Sequence, residues 1–281
     1  MIALSYSLLL CIPFVCGSIF STATEASSFR AARLIVDAIK ETETGTGSHF
    51  GSTPSTAYDL YVALKGGQVK TYEPNLFRRI RNNAGVSESA WLSCMNPDQL
   101  ENVCADSKSG QTFWRSKDGT TILKTIKHYE CKNLRDMLDN LANHLDVPFE
   151  HSCITGVLGA FRVKLANGKK LYFMASRNVY PTIQWYNNEK YDLKGSTVGR
   201  LKSPRSEVYK DLDLIRSNKR LQLGAMKPVV LRTLQRDAHF LSKCGFMDYS
   251  LLVDVEHVPA GILSKLTSRI LNPTTGMFRV K

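Results

Sequence analysis

The chain has 281 residues, 43% hydrophobic and 22% charged, with a formal net charge of +12, which excludes a disordered or fibrous protein and leaves material for one large domain or two small ones. Seven scattered cysteines without a CxxC pair, and six dispersed histidines, exclude a disulfide scaffold and a zinc site. The positive excess asks for an anionic partner, and the lack of an RNA-binding signature, zinc-finger spacing or basic heptads favours an acidic membrane surface over nucleic acid.

Residues 1–28 open mostly apolar, and the first positive side chain is Arg30. Roughly 20 apolar residues suffice to span a bilayer, and Arg30, Arg33 and Lys40 would then keep the rest of the chain on the cytoplasmic side. Small residues at 21–26 also suit signal cleavage. A membrane span, a signal-like segment and a faulty start of the reading frame stay open as alternatives. The Gly, Ser and Thr run ETETGTGSHFGSTPS marks residues 29–56 as linker, and the folded domain is expected over 57–281.

Residues 76–100 read as two short helices, the second capped by Ser87, with Arg78, Arg79 and Arg81 forming a basic cluster on a solvated face. Asp118-Gly119 is a two-residue hairpin signal between strand-like residues 112–115 and 120–126. Ser107, Lys108, Ser109 and Gly110 make a small-residue turn ahead of it, and Lys124 lies among apolar neighbours in its second strand. Burying an ammonium is costly without a partner, and a turn, a hairpin and a strand lysine are the parts with which kinases hold nucleotide phosphates. Helical spacing places Leu134, Met137, Leu138, Leu141 and Leu145 in a core stripe. A second hairpin turns at Ala166-Asn167-Gly168, and a connector containing Ser176, Asn178 and Tyr180 leads out of it.

The stretch YDLKGSTVGR, residues 191–200, gathers Asp192, Lys194, Gly195, two hydroxyls and Arg200. Its backbone amides, hydroxyls and two cations are equipped to donate to phosphate oxygens. Residues 203–223 are highly charged and are expected to form a mobile insertion. Residues 229–244 predict an amphipathic helix with Val230, Leu231, Leu234, Ala238 and Leu241 inward and Gly245 at its C-terminal cap. Arg236-Asp237 imitates part of a protein-kinase catalytic dipeptide but stands mid-helix, so we read it as a decoy. FMDYSLLV then sets Asp248 at the mouth of an apolar strand.

Four stretches in this order, LFRRIR with AGVSESAWL, SKSGQTFW through ILKTIK, SRNVYPT through YDLKGST, and FMDYSLLV, resemble the phosphatidylinositol phosphate kinase family over about residues 57–258. The resemblance implies an α+β, two-lobed lipid-kinase-like fold with antiparallel sheets flanked by helices and an incomplete C-terminal part. It implies ATP and Mg as cofactors, and phosphorylation of a phosphatidylinositol monophosphate on the cytoplasmic face of an acidic membrane, with phosphatidylinositol 4-phosphate at its 5-hydroxyl the favoured case, the 4-hydroxyl left open, and a homodimer compatible. Lys124 would be the nucleotide-phosphate lysine, and Ser107, Lys108, Ser109 and Gly110 the covering loop, with Ser107 where the family usually has glycine. Ser176, Asn178 and Tyr180 would flank adenine; Asp248 would orient the inositol hydroxyl; Asp192 and Lys194 would organise the phosphates. One departure stands out. The family draws a magnesium carboxylate from a later strand, yet residues 258–281 contain no Asp or Glu. A fragment of an active kinase, and a pseudokinase serving as a membrane or partner-binding module, are the two readings this leaves.

Overall fold

The computed structural model describes residues 2–9, 22–44, 59–95, 100–102, 111–146, 152–179, 189–204, 206–221, 223–246 and 249–257. Along the chain these form β1 (Ile2–Leu9), α1 (Thr22–Thr44), β2 (Leu60–Leu64), β3 (Gly67–Thr71), α2 (Pro74–Asn83), α3 (Glu88–Cys94), β4 (Leu100–Asn102), β5 (Phe113–Ser116), β6 (Thr121–Ile126), α4 (His128–Asp136) and α5 (Leu138–His144). There follow β7 (Val157–Leu165), β8 (Lys170–Arg177), β9 (Glu189–Leu193), β10 (Val208–Lys210), α6 (Asp211–Arg216), α7 (Lys227–Lys243) and β11 (Ser250–His257). The fold class is α+β. Contacts divide the chain into two units, one of Phe14–Asp146 with Gly156–Asn178, the other of Met1–Pro13, Val147–Thr155 and Val179–Lys281.

The first unit is built on a seven-stranded antiparallel sheet in the order β2-β3-β7-β8-β6-β5-β4. Side chains alternate across a strand. Val69, Trp114, Leu123, Phe161, Val163, Phe173 and Ala175 accordingly share one buried cluster with Ala31, Leu34, Ile35, Ala38 and Ile39 of α1. Each such aliphatic burial contributes about 1.5–3 kcal/mol. Residues 29–44 are therefore core helix where linker was expected, because Leu34, Ile35, Ala38 and Ile39 recur at helical spacing ahead of the Gly/Thr run. No helix among the described residues is long and apolar enough to cross a membrane.

Local chemistry sets the turns of this unit as the sequence predicts. Gly119 adopts φ +71° in the β5–β6 turn, and Asp118 Oδ1 accepts from Thr120 N at 3.1 Å. Ser87 caps α3, its Oγ accepting from Ala90 N at 3.2 Å. The stripe of Leu134, Met137, Leu138, Leu141 and Leu145 is buried, although the chain divides there into α4 and α5. Arg78 and Arg79 of the arginine cluster are exposed as predicted, and Arg81 is not. Arg81 is 6% exposed, bonded by Nε and Nη2 to Glu88 at 2.9 Å each and by Nη1 to the Leu158 carbonyl at 2.9 Å, while its guanidinium lies 4.9 Å from the Trp91 ring. Arg79 pairs with Asp146 at 2.5 Å. Arg81 thus serves packing, whereas the Arg79–Asp146 pair lies at the surface.

In the second unit the sheet order is β1-β11-β9-β10. β11 is antiparallel to both neighbours, and β10 runs parallel to β9, an exception to the antiparallel expectation. β10 and α6 lie where a mobile insertion was expected. Acidic side chains at the start of α6 anchor that segment: Asp213 Oδ2 accepts from Lys202 N at 2.8 Å and Lys210 N at 2.9 Å. α7 ends as predicted, in a Schellman turn with Gly245 at φ +73°, Phe246 N donating to Leu241 O at 2.9 Å and Gly245 N to Ser242 O at 3.0 Å. Its inward face is rotated from the predicted one: Val230, Thr233, Asp237 and Leu241 are buried, whereas Leu231 is 44% exposed. Asp237, fully buried, lies on that face, and its Oδ2 accepts from Cys153 N at 2.5 Å and Ser152 Oγ at 3.1 Å. The decoy aspartate is thus a fastening for the 152–153 segment.

Candidate nucleotide and phosphate site

Lys124 occupies the middle of β6, paired in register with Phe113 on β5 and Met174 on β8, and is 4% exposed. Two antiparallel neighbours fix its backbone, so the side chain has a rigid base. Near it stands Glu130, the third residue of α4 and fully buried. Glu130 Oε2 accepts from Lys127 N at 2.5 Å, which closes the first turn of the helix. Its Oε1 is buried and accepts no hydrogen bond among the described residues. Burial raises this carboxyl above the ordinary carboxylate range, against the pull of the Lys127 amide and of the Lys124 charge. The sequence reading missed Glu130; its place three residues into a helix that follows the lysine strand was the available signal.

Ser176 sits in β8, buried, opposite Ile122. Asn178 holds the β5–β6 turn: its amide donates to Thr120 O at 2.7 Å and its Nδ2 to Gly119 O at 2.8 Å. Ser176 and Lys124 therefore lie on the neighbouring strands β8 and β6, and Asn178 fixes the β5–β6 turn that leads into the lysine strand. A cavity of about 50 Å3 in the same unit is lined by Phe77, Arg81, Trp91 and Phe161 and does not include Lys124. Ser107, Lys108, Ser109, Gly110, Tyr180 and Asp248 lie outside the described residues.

The YDLKGSTVGR loop belongs to the other unit, and its chemistry is rearranged. Arg200 is 8% exposed; its Nε donates to Asp211 Oδ2 at 2.7 Å, and its Nη2 meets Asp192 Oδ1 at 3.0 Å and the Asp192 carbonyl. Asp211 Oδ1 accepts from the amides of Lys194 at 3.0 Å and Gly195 at 2.8 Å. Two amides and one cation expected to face phosphate are therefore spent on a carboxylate of α6. Burial alone would raise the Asp211 carboxyl, but the Arg200 and Gly195 hydrogen bonds outweigh it and hold the group below its ordinary range. Burial likewise works against the Arg200 charge, and its two carboxylates reverse that, raising its pKa. Lys194, Ser196 and Thr197 remain exposed on the loop thus held. Asp211 is the second residue the sequence reading missed, because it lies inside the stretch assigned to an insertion.

The described thiols are free, and burial pushes Cys94 and Cys131 up to about 11 and Cys153 to about 12, which suits packing and not nucleophilic work. Among the described residues no three His, Cys, Asp or Glu side chains gather as a metal site. No described side chain is therefore assigned to magnesium, and no step below runs through a metal.

The family model of phosphatidylinositol-4-phosphate 5-kinase matches residues 94–274, which include Lys124, Glu130, Asn178, the YDLKGSTVGR loop and Asp248. The chain belongs to this family. It is 33% identical over 240 residues to phosphatidylinositol 4-phosphate 5-kinase its3 of Schizosaccharomyces pombe, covering 81% of this chain and 31% of that protein. It is 30% identical to the mouse phosphatidylinositol 4-phosphate 5-kinase-like protein 1 over 72% of this chain and 53% of the relative. With phosphatidylinositol 4-phosphate 5-kinase 9 of Arabidopsis thaliana the identity is 32%, over 70% of this chain and 24% of that one. The chain therefore spans between about a quarter and a half of these relatives.

Proposed function

We propose that the chain is an ATP-dependent phosphoinositide kinase that transfers the γ-phosphoryl group to the 5-hydroxyl of phosphatidylinositol 4-phosphate. The observation that carries this reading is the buried Lys124 beside buried Glu130 inside the family match. Phosphoryl transfer asks mainly for positioning and charge stabilisation. Lys124 would hold nucleotide phosphate oxygens, with Glu130 as its counter-charge while the nucleotide is away. The inositol hydroxyl oxygen forms the new bond to the γ-phosphorus as the bond to the β,γ-bridging oxygen breaks. ADP leaves with that electron pair, and Asp248 receives the hydroxyl proton. Exposed Lys194 would meet the transferred or resident phosphate, and Asp192, neutralised by Arg200, would keep that loop in shape. Magnesium, when bound, would supply charge neutralisation for the nucleotide, and no described side chain is assigned to it. The partners in this reading are phosphoinositide lipid and the cytoplasmic face of an acidic membrane, in a monomer or homodimer.

The test is ATP-dependent bisphosphate formation on mixed micelles of phosphatidylinositol 4-phosphate, with loss of product in Lys124→Met and Asp248→Asn. A second reading, a non-turning-over membrane module, draws on the formal net charge of +12, which suits an acidic membrane surface without any turnover. It predicts vesicle binding that weakens with salt and no bisphosphate with any divalent metal. Turnover by the purified chain decides for the first reading.

A further inference from the structure

The loop that Asp211 and Arg200 hold also carries exposed apolar side chains, as does the helix that grips it. Val198 is 88% exposed, Leu201 41% and Ile215 63%. Val198 stands at the apex of a turn: Arg200 N donates to Thr197 O at 3.4 Å, and the next residue, Gly199, takes φ +66°, which a side-chain-bearing residue rarely adopts. Ile215 is four residues after Asp211 on α6, hence on the face whose carboxylate grips the loop. Loop and helix are joined further by Leu212 N to Arg200 O at 3.0 Å and Lys202 N to Asp213 Oδ2 at 2.8 Å. Val198, Leu201 and Ile215 therefore ride on one fastened module and do not scatter as independent surface residues.

The module is basic. Residues 189–221 carry nine Lys and Arg against five Asp and Glu, and of the five acids Asp192 and Asp211 are engaged with Arg200 and Glu189 with Lys219. Exposed Lys194, Arg216 and Arg220 flank the aliphatic residues. We propose that the 194–220 module is a membrane-insertion element whose aliphatic tip, Val198, Leu201 and Ile215, enters the acyl boundary of an anionic bilayer while the flanking cations meet lipid phosphates. A small aliphatic tip ringed by cations has the composition of an interfacial anchor. It is too small for a stable protein interface, which buries about 800 Å2 on each partner, and aliphatic tips gain nothing against a nucleic-acid backbone. The inference rests on the lipid-kinase reading only for the identity of the surface, since it needs no turnover.

The experiment uses the full chain with phosphatidylcholine vesicles, with and without phosphatidylserine. Val198→Asp and Ile215→Asp should each weaken binding to the acidic vesicles by roughly tenfold or more, whereas Leu231→Asp, on an aliphatic of α7 that is 44% exposed, should not. The emission of Val198→Trp, taken as a difference from the unsubstituted chain, should shift to the blue and be quenched by brominated acyl chains. Equal binding by both aspartate variants, an unshifted tryptophan on protein that sediments with vesicles, or no binding to acidic vesicles overturns the proposal. So does a concentration-dependent oligomer that Val198→Asp dissolves, which would make the tip a contact between copies of the chain. Tryptophan insertion without bisphosphate formation leaves the surface standing and removes the kinase reading.

Discussion

Lys124 and Arg200 are both buried cations, 4% and 8% exposed, and their surroundings could hardly differ more. Arg200 meets the carboxylates of Asp211 and Asp192 and a backbone carbonyl, and those carboxylates support its charge. Lys124 faces Glu130, a carboxyl that burial holds above its ordinary range and whose Oε1 accepts no hydrogen bond among the described residues. A guanidinium gripped by two matched carboxylates has little capacity left for a ligand. An ammonium whose counter-ion ionises reluctantly is suited to exchanging that partner for a phosphate. Burial alone does not distinguish a structural cation from a functional one; the state of its partners does.

The largest effects test that distinction directly. Arg200→Met should cost about 3–5 kcal/mol of folding stability, because Asp211 loses a buried partner. Urea denaturation measures it, and a loss below ~1 kcal/mol would show that Arg200 is not the fastening described. Lys124→Met should instead leave the melting temperature within a few degrees while lowering kcat/KM by about 10²–10³-fold. If Lys124→Met unfolds the chain as readily as Arg200→Met, the two cations are alike and the contrast collapses.

Much of this was legible in the sequence, for reasons that differ by region. The β5–β6 hairpin, the Ser87 cap and the Gly245 terminus follow from short-range rules that act within about four residues. Lys124 could be picked out because an ammonium among apolar strand residues breaks the local pattern. The partners could not. Arg200 is joined to Asp211 across 11 positions, and Asp237 to Cys153 across 84, so nothing in the local pattern announces either bond. For the same reason 203–223 read as an insertion: its charges look like solvated ones until Asp211 and Asp213 are seen to accept backbone amides. α1 was overlooked because the Gly/Thr run after it dominated the local composition, while its core contacts are made with strands that follow much later in the chain.

A smaller effect refines the Arg200 side of the contrast. Asp211→Asn keeps an oxygen for the Lys194 and Gly195 amides but loses the charge opposite Arg200, and should destabilise by about 1–2 kcal/mol at pH 7. Because the folded-state pKa of Asp211 lies below its unfolded value, its stabilisation is complete above the unfolded pKa and is lost as pH falls through the folded one. The gap between variant and parent should therefore narrow in acid. A gap constant from neutral to strongly acid pH would mean that charge plays no part in the fastening.

The smallest effect has the opposite sign and probes the Lys124 side. Glu130 has a raised folded-state pKa, so its contribution is favourable below the unfolded pKa and is lost as pH rises through the folded one. Glu130→Gln keeps an oxygen for the Lys127 amide, which preserves the first turn of α4, and removes the burial penalty on a charge. The variant should melt slightly higher than the parent at pH 7, with the advantage vanishing below about pH 4, where the parent is protonated in both states. Its kinase activity should fall nonetheless, because Lys124 loses the carboxylate that holds it before the nucleotide arrives. A variant that gains stability and keeps full turnover would place Glu130 outside the phosphate site. One that loses both would make it a structural partner of the kind Arg200 has in Asp211.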